Sequence, residues 1–250
     1  MEKFKSVIGQ EFIERTKYQY SVESDQEKEL PQPPLDLEIE AGKTVFALPQ
    51  PDELEIPSMD LLTAIENRKS VRKFAPGWLS LQELAYLLWT TQGVKRVTPR
   101  PATLRTVPSA GSRHPLETYL WVHRVEGLVP GIYRYKAIGH SLVQLDTSEG
   151  WGEKLSEACY KQQFVGDAAV SFFWAADVYR AEWRYNERAY RYVLLDAGHV
   201  CQNLHLACEA ISAGMCAVGA YHDDALNTLL GLDGKANFVV YAAAVGRTVT

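Results

Sequence analysis

Between Val193 and Ala210, apolar side chains occupy every face of the helix that the residue spacing predicts. A helix with one apolar stripe can lie on a surface, but one apolar all round has to be covered on every side. The pattern predicts one long element from roughly Glu182 to Ala213, packed against a sheet and further structure. Gly198 within it predicts close approach of another backbone. A chain of 250 residues, 46% hydrophobic and 23% charged, is large enough to build such a core as one domain.

Shorter apolar runs supply candidate partners for this helix. Ala168 to Ala176, with Val170, Phe172, Phe173 and Trp174, reads as a buried strand, and Thr118 to Val125 as another. Gly131 to Tyr135 and Ser141 to Leu145 are predicted strands about a turn at Gly139. Met215 to Ala220 and Phe238 to Val245 are predicted to close the sheet, with a short helix from Asp223 to Leu230 between them. Glu149 to Phe164 suits a helix. Ser80-Leu81-Gln82-Glu83 is a capping-box pattern opening a helix that carries Leu84, Leu87 and Leu88 and stops near Gly93. Ser58 or Asp60 caps a further helix with Leu61, Leu62 and Ile65 facing inward. Residues 94 to 107 are basic, contain prolines and read as a loop. Helices flanking a mixed sheet make an α+β sandwich.

Residues 1 to 57 differ from the rest. Prolines 31, 33, 34, 49, 51 and 57 break any long element, so this segment reads as an extended N-terminal arm before a domain at 58 to 250. Within it Leu35, Leu37 and Ile39 alternate with acids, the pattern of a strand with one covered face, and Val45, Phe46 and Leu48 offer more apolar contact to a body.

Candidate chemistry lies at the end of the helix that follows Asp60. Arg68, Ser70 and Arg72 form an R-x-S-x-R pattern, and in extended chain alternate side chains point the same way. Two guanidinium groups and a hydroxyl on one side can grip a phosphate and a polar ring edge. Further motifs follow in order. They are Arg105-Thr106-Val107-Pro108-Ser109-Ala110-Gly111-Ser112-Arg113-His114-Pro115-Leu116-Glu117, then Pro130-Gly131-Ile132-Tyr133-Arg134-Tyr135, then Gly198-His199-x-x-Gln202-Asn203-Leu204. Val218-Gly219-Ala220-Tyr221-His222-Asp223-Asp224 and Ala244-Val245-Gly246-Arg247 complete the set.

This ordered set, over residues 58 to 250, resembles the nitroreductase family of flavin enzymes, and within it the SagB-type dehydrogenases. The resemblance implies a nitroreductase-like sheet flanked by helices, a homodimer with the long helix buried at its interface, and FMN as cofactor. By resemblance, Arg68 and Arg247 take the phosphate, Ser70 adds a hydroxyl, and Arg72 lies near the ribityl chain and pyrimidine edge. Gly219 and Ala220 present backbone N–H near flavin N5, and Pro108, Ser109, Ala110 and Gly111 come from the partner subunit. Azoline dehydrogenases of this kind use a Lys-Tyr pair near the start of the long helix, where this chain has Arg184-Tyr185. Arginine stays charged and cannot act as the base that a desolvated lysine can. The implied activity is an FMN-dependent oxidoreductase working in two stages on a small-molecule or peptide substrate. The alternatives are an NAD(P)H-dependent nitro or quinone reductase, an azoline dehydrogenase in peptide maturation, and a flavin-free binding module.

Other functions leave no trace. A net charge of −5 offers no general attraction to nucleic acid or anionic membrane. No apolar run has the length of a membrane span and the start lacks a signal peptide's apolar core, so a cytoplasmic location is expected. There is no G-x-G-x-x-G fingerprint and no Walker pattern, so NAD(P)H would visit only as a transient donor. A hydrolase built on Ser109 lacks the G-x-S-x-G elbow, since Pro108 precedes the serine. His114 and His199 read as structural histidines before catalytic acids. Cys201, His205 and Cys208 share one helix face without a fourth ligand and read as buried small residues, with no metal expected.

Overall fold

The structure is a computed structural model that describes residues 7–249; residues 1–6 of the arm lie outside them. Its centre is an eight-stranded sheet. The strands are β1 (Val45–Ala47), β2 (Phe74–Ala75), β5 (Leu116–Val122), β6 (Gly131–Lys136), β7 (Ser141–Asp146), β8 (Val170–Asp177), β9 (Ala213–Val218) and β10 (Asn237–Thr248). They run in the order β1-β7-β6-β5-β8-β10-β2, and β9 also pairs with β10. These ladders are antiparallel, and the parallel component enters through single bridges, Ser70 beside Met215 and Leu79 beside Val125. Two further strands, β3 (Val94–Val97) and β4 (Thr103–Arg105), form a hairpin where the sequence predicts a loop. Lys95 and Arg96 of β3 lie outward while Arg105 of β4 is buried, so the segment lacks the apolar signal that marks a buried strand.

The helices are α1 (Ile8–Arg15), α2 (Leu61–Asn67), α3 (Leu81–Gln92), α4 (Trp151–Ala158), α5 (Gln163–Asp167), α6 (Tyr179–Tyr185), α7 (Ala189–Ala210) and α8 (Asp223–Leu229). Strand β8 shows why they form two layers. Phe172 and Trp174 join one core with Leu84, Leu88, Val193 and Leu204 of α3 and α7. Phe173, between them, joins the other with Leu155, Val165 and Leu226 of α4, α5 and α8. Side chains alternate across a strand, so a strand apolar at every position needs a helix layer on each face.

The long helix differs from its prediction in two ways. It breaks at Asn186, which adopts φ 48°, and α7 proper begins at Ala189. Asparagine tolerates positive φ better than most residues, and its side-chain amide donates to the Val22 carbonyl at 2.8 Å. Nor is α7 buried on every side of this chain. Val193, Ala197, Val200 and Leu204 are buried, whereas Leu194 and Leu195 are 56% and 58% exposed. Gly198 faces outward, with nothing within 4 Å of the position a Cβ would take. The stripe on α2 also reverses its expected direction. Asp60 caps the helix through the Thr63 amide, but Leu61, Leu62 and Ile65 are exposed and only Ala64 is buried. The capping box of Ser80 and Glu83 and the burial of Leu84, Leu87 and Leu88 are as predicted.

The arm is ordered by donors from the body. Residues 35–40 form no strand. Instead the fully buried Arg134 donates to the carbonyls of Leu37 and Glu38, Lys136 to Leu37, and Arg105 to Leu35. Trp183 Nε1 donates to the Leu30 carbonyl at 3.0 Å. Further on, β1 adds to the sheet edge beside β7 and Phe46 packs edge-on to Tyr133. Leu35 and Leu37 are half-buried but Ile39 is exposed, so the alternation does not mark one covered strand face, and side chains rather than a neighbouring strand satisfy the carbonyls of this segment.

Near this seam Arg180 approaches Glu117 at 2.5 Å and Asp177 at 3.1 Å, with Arg180 and Glu117 both almost fully buried. Glu117→Ala should strip a buried cation of its closest partner and cost about 3–5 kcal/mol. Chemical denaturation reads this directly, and an unshifted midpoint would show that the pair contributes nothing.

Candidate functional site

The motif residues gather in two clusters. The first forms where the chain leaves α2. Arg68 turns the backbone to ψ 129° and the chain runs extended beside β9, with Val71 N–H donating to the Met215 carbonyl at 2.8 Å. Val71 turns onto the sheet at Gly214, where a Cβ would come within 2.7 Å of it. Its neighbours Ser70 and Arg72 are exposed and Arg68 is half-buried. Phe74 sits over Gly246, where a Cβ would come within 2.8 Å of the ring. These two glycines are thus what lets the R-x-S-x-R segment lie on the sheet with its polar side outward.

The charges act on their surroundings. Burial lowers the basicity of His205, and Arg68 lowers it further. Burial pushes the Cys216 thiol up, while Arg72 and a hydrogen bond with Ser70 oppose the shift. At the far end of β9, Gly219 and Ala220 are exposed, and the Ala220 carbonyl accepts from Gln162 Nε2 at 2.8 Å. A Cβ on Gly219 would meet only the Tyr241 ring, at 3.9 Å. Packing does not demand a glycine there, so the bare backbone is available to a ligand. A cavity of about 1040 Å³ lined by Glu157, Gln163, His222, Asp224 and Leu229 lies beside this turn.

Arg247 is placed near this cluster but is already engaged. Its Nη2 meets both Glu83 oxygens at 2.6 and 2.7 Å, while Nε and Nη1 donate to the carbonyls of Trp78 and Ile211. Glu83 therefore both closes the α3 capping box and neutralises Arg247, a second role that its spacing in the sequence does not signal.

The second cluster is Pro108 to Gly111 with the α6–α7 junction of the same chain. Gly111 has φ 57°, and a Cβ on it would come within 2.4 Å of the Tyr185 hydroxyl and 3.1 Å of Arg184. Ser109 Oγ accepts the His114 amide at 2.9 Å. Asp196 of α7 is buried, which raises its pKa, while Ser109 and the Ala110 amide stabilise its charged form. Sequence reasoning missed Asp196, although one acid inside an apolar run is itself a signal, because a buried carboxylate needs partners.

The structure brings Arg68, Ser70 and Arg72 alongside β9 and joins Pro108–Gly111 to Arg184 and Tyr185, but it does not join the two clusters. The first influences α7 at His205 and Glu209 and the second meets it at Asp196. Those points are about 14 to 20 Å apart along the helix at about 1.5 Å per residue. Among the described residues no group of three or more His, Cys, Asp or Glu side chains could hold a metal ion. No helix there is long and apolar enough to cross a membrane.

His114 is a structural residue in this geometry. Burial, and then the charge of Arg105, hold its pKa near about 3, although its ring bonds the Thr103 backbone. An unfolded chain binds a proton there below about pH 6.5, whereas the folded chain does not until about pH 3. Stability should therefore be unaffected by this group at neutral pH and fall as pH drops through that window, by up to roughly 5 kcal/mol. His114→Gln should flatten that part of the profile in acid denaturation. Parallel profiles for variant and wild type would contradict it.

Comparison with known proteins identifies the family. A model described as the Nitroreductase family matches residues 65–247. MJ1384 of Methanocaldococcus jannaschii, named for the nitroreductases, is 36% identical over 180 residues, 72% of this chain and 87% of that protein. The Trifolitoxin-processing protein TfxB of Rhizobium leguminosarum bv. trifolii is 27% identical over 194 residues, covering 72% of this chain and 52% of its own. A crystal structure from Anabaena variabilis, also named for the nitroreductases, superposes with a TM-score of 0.65 at 30% identity, over 76% of this chain and 38% of that one. The chain thus spans about half of TfxB and less of the Anabaena protein.

Proposed function

Because the chain belongs to the nitroreductase family of oxidoreductases, whose fold it has, we propose that it is an FMN-dependent member of the SagB type, acting in a two-stage cycle on a small organic or peptide-borne substrate. The observation that carries this is the first cluster, a file of half-buried cation, exposed hydroxyl and exposed cation beside β9 with an unoccluded glycine backbone at the far end of that strand. FMN needs those groups. Its phosphate needs cations and hydroxyls, its pyrimidine edge needs a positive charge, and N5 needs a backbone N–H. When bound, FMN takes a hydride from a donor and passes it to an acceptor.

The protein's own residues divide that work. Arg68 and Ser70 hold the phosphate end, Arg72 stabilises negative charge at N1 and O2, and Gly219 and Ala220 bring main chain to N5. NAD(P)H serves only as a transient donor. Arg247 serves the phosphate only if the Glu83 pair opens, so its first contribution is to fasten the end of β10 to α3.

The two clusters of one chain do not meet, and a second copy supplies the missing half. In this homodimer the cradle of one chain faces Pro108–Gly111 and the Arg184-Tyr185 pair of the other. Exposed leucines on two helices, Leu61 and Leu62 of α2 and Leu194 and Leu195 of α7, support the pairing, since large exposed apolar side chains that gather into patches mark interaction surfaces. A peptide-borne substrate is favoured by the likeness to TfxB, whose name assigns it to trifolitoxin processing. Arg184 in place of a lysine argues for a reaction other than azoline oxidation by a lysine base.

The protein should purify yellow and release FMN on heating, and a colourless protein that takes up no FMN would end the flavin reading. Arg68→Ala should weaken FMN by roughly 10- to 150-fold, for a charge-assisted contact of about 1.5–3 kcal/mol. Arg247→Ala should chiefly lower the unfolding midpoint. Wild-type FMN affinity in the Arg68 variant would remove the phosphate assignment. Charge placed on the outer face of α7, as Leu194→Glu with Leu195→Glu, should give monomers by sedimentation and lose FMN with the interface. A flavin-loaded monomer would overturn the shared site.

A further inference from the structure

Next to the second cluster, the N-terminal arm and the start of α7 build a phenol site. The Tyr192 hydroxyl lies 2.6 Å from the Tyr18 hydroxyl and accepts from Arg188 Nε at 2.9 Å. The Arg188 guanidinium sits 4.1 Å over the Tyr18 ring and also donates to the Thr16 carbonyl at 2.7 Å. Arg191 donates to Thr16 Oγ1 at 2.5 Å and to the Ile13 carbonyl. The ring of Tyr192 packs edge-on to Tyr185 with centroids 4.8 Å apart, and the Tyr185 hydroxyl occupies the space that a side chain on Gly111 would need. An unbroken line of contacts therefore runs from the arm through Tyr192 and Tyr185 to the Pro108–Gly111 segment.

An oxygen that accepts from a guanidinium N–H and a second hydroxyl is poised to carry negative charge, because both bonds strengthen in the phenolate. The charged groups around it are mainly cations, Arg188 in the turn that caps α7, Arg191 on α7 and Arg184 on α6. Glu187 lies at the junction, and on the arm Glu14 is occupied by Lys17 and Tyr20. Burial works against the Tyr192 phenolate, but the bonds from Tyr18 and Arg188 outweigh it and lower its pKa. The bond to Tyr192 chiefly raises that of Tyr18, as expected of the donor. Tyr185 has no such pair of donors among the described residues.

We propose that Tyr192 is a proton-holding catalytic residue of the second cluster, with Arg188 and the arm residue Tyr18 as its positioning residues. This rests on the flavin reading and deepens it. In the oxidative direction two bonds to hydrogen would break on the substrate: the hydride, with its two electrons, would pass to oxidised FMN, and the proton would pass to the Tyr192 phenolate, forming its O–H bond. In the reductive direction the phenol returns that proton to the acceptor as the hydride arrives from the flavin. The substrate class is one whose two-electron oxidation also releases a proton, and the arm is part of the site that handles it.

Two measurements on the full-length protein test this. Ultraviolet titration of the phenols should show one tyrosine ionising before the others in wild type. That step should vanish in Tyr192→Phe and move upward in Tyr18→Phe and in Arg188→Gln, with Arg188→Lys restoring part of it. In the second, bound flavin is photoreduced anaerobically and reoxidised by benzoquinone. Tyr192→Phe should slow reoxidation about 100-fold and lose its alkaline limb, with FMN affinity unchanged. Titration curves that superimpose for wild type and Tyr192→Phe would overturn the proposal, as would equal reoxidation rates. A protein that binds no FMN, yet shows the early phenol, would instead remove the flavin reading, and this role with it.

Discussion

Strand β8 is buried along almost its whole length, and it has to be covered on both sides. Phe172 and Trp174 press into one core and Phe173 into the other, so the sheet cannot be an open half-sandwich. Antiparallel pairing with β5 and β10 extends this two-sided burial across the centre of the molecule. Covering one face requires α3 and α7, and covering the other requires α4, α5 and α8. Every candidate functional residue inherits its position from that arrangement. The R-x-S-x-R segment lies at the edge of β9, and Asp196 and Tyr192 project from the helix that closes the larger core.

Where backbones come close, glycine decides what can be exposed. Val71 resting on Gly214 and Phe74 on Gly246 consume the apolar side of the segment from Arg68 to Phe74, which turns Ser70 and Arg72 to solvent. Gly219 is of another kind, since little would obstruct a side chain there. The contrast separates glycines required by the fold from one whose bare backbone is free to meet a ligand.

The arm is bound by a different kind of force. Few of its side chains enter the core, and its carbonyls are instead taken up by Arg105, Arg134, Lys136, Trp183, Asn186, Arg188 and Arg191. Such bonds are directional and fix the arm's path over the body. They also spend cations whose sequence context suggests solvent-facing charge. Arg247 follows the same rule, with its guanidinium committed to Glu83 and two carbonyls. A charged side chain near a motif is therefore a ligand candidate only after its partners within the fold have been counted.

The residues by themselves determined the α+β class, the strands from Thr118 to Val245, the capped helix from Leu81, and the family whose ordered motifs run from Arg68 to Arg247. All of these depend on local periodicity, caps or short fixed patterns, which neighbouring residues encode. Only the tertiary structure decided the rest. It broke the long helix at Asn186, whose side-chain amide donates to the Val22 carbonyl of the distant arm. It turned Leu61, Leu62 and Ile65 outward, since periodicity marks an apolar stripe without saying which body covers it. It made a hairpin of Val94 to Arg105, whose pairing comes from across a turn and carries no apolar alternation. It joined Tyr18 to Tyr192, which are far apart in the chain and bear no spacing relation. Hydrogen bonds between distant side chains depend on where the fold carries them, and no local pattern records that.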